Sequence, residues 1–160
     1  MSSDMQLNGY AYRDITLSKD ADGLLRGDDY SVYVPIDEGE FHLNFADGTK
    51  SVFSPLQFHF HAPSEHSVDG KLYDLEVHFV HLYKESKDLG AVIGIFFDKE
   101  EGGDYESEFL NNLWDGGDEV VIQVESFLRN VDFSEYWNYP GSLTTPPCTE
   151  GIKWTVIKDV

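Results

Sequence analysis

Apolar and polar positions alternate along most of this chain in short runs separated by turn signals. Seven runs are rich in β-branched and aromatic residues and each predicts a strand. They are YSVYVPI (30–36), EFHLNF (40–45), SVFSPLQFHFHA (51–62), LYDLEVHFVHLY (72–83), AVIGIFF (91–97), EVVIQV (119–124) and IKWTVI (152–157). DGT at 47–49 and VDGK at 68–71 predict hairpin-type turns. Helical spacing is rare. The best case is DYESEFLNNLW (104–114), where Tyr105, Phe109 and Leu113 recur at i, i+4 and i+8 with acids early. There is no internal repeat and no linker, so the pattern predicts one mainly β domain over 1–160, mostly antiparallel, with one or two short helices.

Composition narrows the partners. A chain of 160 residues with 41% hydrophobic and 14% aromatic residues is that of a folded domain with a real core. No apolar run approaches the roughly 20 residues of a membrane span. The amino terminus, MSSDMQLNGYAYRD, lacks the basic-then-apolar pattern of a signal peptide. Thirty acids against eleven bases give a net charge of −19, which disfavours nucleic acid and anionic lipid because both require basic patches. The acidity reads as a solvated shell. One cysteine, Cys148, permits neither an intrachain disulfide nor a C-x-x-C site. A metal held here must use histidine and carboxylate.

The histidines supply such a site. In QFHFHAPSEH (57–66), strand alternation places Gln57, His59 and His61 on one face, with the two histidines about 7 Å apart along the strand. Phe58 and Phe60 face the other, apolar side. On the following strand Glu76, His78 and Val80 share a face, and antiparallel pairing can bring His78 level with His59 and His61. Three imidazoles with an open fourth position form the catalytic type of zinc site, whereas structural sites are closed by four protein ligands. Gln57 and Glu76, each two residues from a histidine on its face, can accept ring N–H groups and fix the tautomers. His42 reads as a surface or packing residue. His66 and His81, in the loop or of opposite parity, read as satisfied core histidines.

The stretches QFHFHAPSEHSVDGK, LEVHFVH and YPGSLTTPPCTEGIKW together resemble the alpha-class carbonic anhydrases, bacterial and algal members above all, over roughly 30–160. The resemblance implies a twisted, mostly antiparallel ten-stranded sheet with zinc at the bottom of a cleft. It implies His59, His61 and His78 as zinc ligands, with Gln57 and Glu76 as acceptors behind His59 and His78. Thr144 then corresponds to the threonine that accepts from hydroxide on the zinc, and Glu65 to the carboxylate that takes the threonine's proton. An ionised carboxylate can only accept, so Thr144 must donate to Glu65. Val80, Val92, Leu143 and Trp154 would wall the cleft, with Thr145 beside them. An uncharged substrate such as CO2 needs little more than a dry pocket next to the nucleophile. The implied reaction is reversible hydration of CO2 to bicarbonate. The resemblance also favours a secreted, periplasmic or organelle-lumen address.

Three departures shape the expectations. The family's proton-relaying histidine falls on Tyr30, and tyrosine, with a pKa near 10, relays poorly at neutral pH; a slower, buffer-dependent enzyme is expected. Family segments before Tyr30, with their QSP motif, and the strands beyond Trp154 have no counterpart, which predicts a homo-oligomer or a partner chain completing the sheet. The cysteine matching Cys148 pairs with an N-terminal one in many secreted relatives; here Cys148 is a free thiol or bonds another chain. A non-catalytic structural or binding module is the other reading of the same resemblance. A three-histidine cupin-type oxygenase would need a carboxylate ligand and redox iron, and gives SLTTPP no role.

Overall fold

A computed structural model describes residues 4–6, 15–18, 33–35, 39–44, 49–99, 107–115, 119–122 and 124–160. In chain order the elements are β1 (Asp4–Gln6), β2 (Ile15–Ser18), β3 (Tyr33–Pro35), β4 (Phe41–Asn44), β5 (Lys50–His61), β6 (Ser67–Val68), β7 (Lys71–Leu72) and β8 (Leu75–Tyr83). They continue with β9 (Leu89–Phe97), α1 (Glu108–Asp115), β10 (Glu119–Ile122), α2 (Val124–Asn130), β11 (Tyr136–Ser142) and β12 (Glu150–Ile157). The main sheet runs β1-β4-β5-β8-β9-β12-β11, with β3 also paired to β5; all its pairs are antiparallel except β12 with β9. Eight strands form it among the described residues, where the resemblance implied ten. Tyr30, and the start of the run expected at 30–36, lie outside the described residues, as do residues 47–48 of the DGT turn.

The VDGK turn forms as expected. Asp69 and Gly70 have φ of 52° and 80°, the double left-handed conformation that a two-residue hairpin loop requires, between β6 and β7. Three expectations need correction. The run 72–83 is broken, because Leu72 ends β7 and β8 starts at Leu75. The helix expected over 104–114, of which 104–106 lie outside the described residues, begins at Glu108, where the Ser107 hydroxyl accepts from Leu110 N–H at 3.4 Å and the Ser107 carbonyl accepts from Asn111 N–H. The strand expected over 119–124 stops at Ile122, and Val124 opens α2. Val124, Phe127 and Leu128 fall at i, i+3 and i+4, with Val131 just past the helix end, so α2 lays an apolar stripe on the core.

The sheet buries both faces around β8, whose residues 76–81 are all buried. One face packs Phe58, Phe79, Ile93 and Ile95 against Phe109, Leu113, Val124 and Leu128 of the two helices. Phe53 joins this core although it lies five positions before Phe58, an odd offset that would put the two on opposite faces of a regular strand. A bulge between Pro55 and Gln57 resets the parity and turns Leu56 outward. The other face carries Val80, Val92, Phe96, Ile152, Trp154 and Val156. No helix of the described residues is long and apolar enough to cross a membrane.

His81 points into the helix-covered core, its ring 5.1 Å from that of Phe41. Burial pushes its pKa down to about 4, against smaller opposing effects of the Phe79 and Ala91 backbone. The unfolded chain, with histidine near 6.5, therefore takes up the proton first. The stability His81 contributes is complete above pH 6.5 and is lost as pH falls towards 4. In metal-free protein, urea unfolding at pH 7.5 and pH 5 should show His81→Leu losing about 2 kcal/mol less than the unmodified chain over that interval. Equal losses in the two proteins would refute this.

Candidate metal centre

Pairing of β5 with β8 sets the site. In register, His59 lies opposite His78, His61 opposite Glu76 and Gln57 opposite Val80. Directly opposed residues on one face have Cβ atoms about 4.5–5.5 Å apart, so this register alone clusters the three imidazoles. Ring centroids are 4.9 Å apart for His59–His61, 5.3 Å for His59–His78 and 4.5 Å for His61–His78. One ring nitrogen from each lies within 4.8 Å of the others.

The donor set suits a cation that prefers nitrogen. His59 donates its Nδ1–H to Gln57 Oε1 at 2.9 Å, which leaves Nε2 with a lone pair. His61 Nε2 is buried without a hydrogen-bond partner among the described residues. An orphaned nitrogen of this kind is costly unless something else binds it. Burial, then the neighbouring His78 and His61, push the His59 pKa down to about 3. Burial and His78 also lower that of His61, against the opposing pull of Glu65. Both rings are thus neutral near pH 7, the form that binds metal. The Glu65 carboxylate lies at the cluster, Oε2 being 3.5 Å from His61 Nε2 and 3.9 Å from His78 Nδ1.

Glu76, fully buried, organises the back of the site. Its Oε2 accepts from the backbone N–H groups of Glu65 and His66 at 2.9 and 3.0 Å. Its Oε1 lies 2.6 Å from His66 Nδ1 and 2.9 Å from His78 Nε2. Burial would raise the Glu76 pKa, but the His66 and His78 imidazoles outweigh it and hold the carboxyl well below the usual range. Being ionised, it can only accept, so His66 presents Nδ1–H to it and accepts from the Tyr139 hydroxyl at Nε2, 2.5 Å away. Burial and the charges of Glu76 and Glu65 push the Tyr139 pKa up to about 12, which keeps that donor protonated.

A second set of potential ligands, His66, Glu76 and His78, also clusters. Both His66 nitrogens are engaged there by Glu76 and Tyr139, so the three-histidine set is the one with free donor atoms. Sequence reasoning placed His66 among satisfied histidines but missed the Tyr139–His66–Glu76 chain. Tyr139 lies 73 residues from His66, on a strand that no alternation pattern marked.

Val80, Val92 and Trp154 form one buried cluster, with Leu143 packed against it. Trp154 reaches the metal candidates, its ring 4.8 Å from that of His78. Thr144 and Thr145 are exposed in the loop between β11 and β12. Leu143 N–H to Thr149 C=O and Cys148 N–H to Thr145 C=O, both at 2.9 Å, close that loop, and Trp154 Nε1–H donates to Ser142 C=O at 2.9 Å. No hydrogen bond joins Thr144 to Glu65 among the described residues. Cys148 is exposed and unpaired within the chain.

Fold and site together define a β-sheet protein with a three-histidine candidate metal centre on one face of the sheet. Residues 4–160 match the family described as eukaryotic-type carbonic anhydrase. "Alpha carbonic anhydrase 4" of Arabidopsis thaliana is 36% identical over 137 residues, covering 84% of this chain and 49% of that protein. "Carbonic anhydrase" of Klebsiella pneumoniae is 41% identical over 119 residues, covering 70% and 45%. Among solved structures, that described as Photobacterium profundum alpha-carbonic anhydrase superposes with a TM-score of 0.67 at 30% identity, covering 98% of this chain and 66% of the other. The chain belongs to the alpha carbonic anhydrase family. It spans about half the length of the curated relatives it matches.

Proposed function

We propose that this chain is a zinc enzyme interconverting carbon dioxide and bicarbonate, with His59, His61 and His78 as the ligands. The observation that carries the reading is the convergence of three imidazoles, two of them with a buried ring nitrogen that has no hydrogen-bond partner among the described residues, beside an apolar wall. Zinc bound there would lower the pKa of a water to about 7 and so supply a nucleophile at neutral pH, a value taken from carbonic anhydrase as the standard example of this chemistry. Gln57 and Glu76 fix the orientation of His59 and His78. Val80, Val92, Leu143 and Trp154 exclude water and leave a dry place for CO2. In this reading Thr144 would donate to the Glu65 carboxylate, a hydrogen bond that the metal-free structure does not contain, and its oxygen would then be left to accept on the other side. Pairing of the β11 edge with a second chain belongs to the same reading.

The test measures zinc per purified chain and CO2 hydration before and after dipicolinate treatment. Stoichiometric zinc and an activity lost with the metal and restored by its return are expected. Stoichiometric zinc without activity would point to the binding-module reading instead. Thr144→Ala should keep zinc and lower kcat/KM about 100-fold, the scale of losing one positioned hydrogen-bonding group in a transition state. Unchanged kcat/KM would remove Thr144 from the mechanism. Turnover should rise with buffer concentration, and Tyr30→His should lessen that dependence, as stopped-flow assays over a buffer series would show.

A further inference from the structure

Gly94 sits mid-strand in β9, in register with His78 on one side and Val156 on the other. A glycine inside a buried strand weakens it and calls for a local reason. The backbone gives none, because Gly94 is absent from the positive-φ positions and any residue could adopt its conformation. Space gives one. A Cβ at residue 94 would lie 2.7 Å from Glu76 Oε1, and the next atoms, Val156 Cγ2 and Glu76 Cδ, are at 3.7 and 3.8 Å. Of these contacts only that with the Glu76 carboxylate oxygen is too short for a methyl group; the other two are ordinary van der Waals distances.

That carboxylate cannot step aside freely. It is fully buried and is held by the backbone N–H groups of Glu65 and His66 and by the His66 ring, and it faces His78 Nε2 at 2.9 Å, a charge contact that is not aligned as a hydrogen bond in the metal-free chain. We propose that Gly94 is a positioning residue of the metal site: its missing side chain is the seat of the Glu76 carboxylate, which in turn sets the tautomer of His78. The proposal rests on the zinc reading above for its consequence, but its geometry concerns the metal-free chain. Because Glu76 also holds the backbone at Glu65, a displaced carboxylate disturbs two parts of the site together.

The test compares Gly94→Ala, Glu76→Asp and the double variant, the aspartate withdrawing the carboxylate by one methylene. Zinc affinity is read by competition with a chromophoric chelator. The His78 tautomer is read in metal-free protein by long-range proton–nitrogen NMR, with folding checked by near-UV circular dichroism. Gly94→Ala should weaken zinc binding about 10–100-fold, the range for loss of a partner behind a ligand, and should remove the single Nε2–H tautomer of His78. In the Glu76→Asp background the same alanine should cost less than about 3-fold, a non-additivity expected of touching residues. Gly94→Ala with unchanged affinity and tautomer, or an equal alanine cost in both backgrounds, overturns the proposal. Should Gly94→Ala alone not fold, the double variant decides: folding with one His78 tautomer supports the seat, and failure to fold overturns it. If the unmodified chain holds no zinc, the zinc reading fails while the NMR arm still reports on Gly94.

Discussion

His78→Ala should lower zinc affinity by well over about 100-fold and abolish CO2 hydration, while leaving a folded protein. The expectation follows from position. His78 belongs to the central strand pair, faces His59 in register and is 1% exposed. Losing a partner behind a ligand typically costs 10–100-fold in metal affinity, and losing the ligand itself must exceed that. Two imidazoles would then hold the ion, short of the three protein nitrogens of a catalytic zinc site. The fold survives because Glu76 keeps the Glu65 and His66 backbone donors and the His66 ring. Two further variants separate the possible ligand sets. His59→Ala should also lose zinc, whereas His66→Ala should keep it. Chelator competition showing the reverse, zinc lost with His66 and retained without His59, would move the metal to the other cluster and sink the assignment.

Much of this site is legible in the sequence because strand alternation is strict. Gln57, His59 and His61 share a face by parity alone, and so do Glu76, His78 and Val80. The step from two faces to one site is the register, which the sequence allows but does not impose; the short β6–β7 turn and the pairing of Phe58 with Phe79 on the reverse face settle it. Parity also fails where the strand is irregular. Phe53 and Phe58 share a core only through the bulge at Leu56, and nothing in SVFSPLQF announces an extra residue beyond its proline. Two elements were hidden by composition. Pro140 and Gly141 make β11 read as a loop, yet proline is tolerated in a strand at the end of a sheet, the place β11 has among the described residues. The apolar stripe of α2 begins inside EVVIQV, where a β-rich run masks a change of period. Gly94 was passed over for a different reason: its partner, the Glu76 carboxylate, lies on the neighbouring strand and becomes visible as one only in three dimensions.

The largest expected loss of stability lies on the reverse of the same strand. Phe58 alternates with His59, is fully buried, and its ring meets those of Phe60 at 5.9 Å, Phe79 at 5.3 Å and Phe109 at 5.7 Å. Phe109 in turn stacks on Phe127 of α2 at 4.3 Å, so Phe58 joins β5 and β8 to both helices. Phe58→Ala removes the ring contacts and leaves a cavity that neighbours pinned in a sheet cannot close, a change that costs about 3–5 kcal/mol. For a chain of this size that corresponds to a fall in Tm of roughly 6–20 °C. Leu56→Ala, two residues away but 39% exposed on the bulge, should move Tm by no more than about 2 °C. Because the Phe58 side chain lies on the face of β5 opposite the three histidines, the folded fraction of Phe58→Ala should still bind zinc within about 10-fold of the unmodified chain at low temperature. Thermal unfolding of the two variants with and without zinc checks all three statements, and a Phe58→Ala protein as stable as Leu56→Ala would show that this core is not what holds the histidine strand in place.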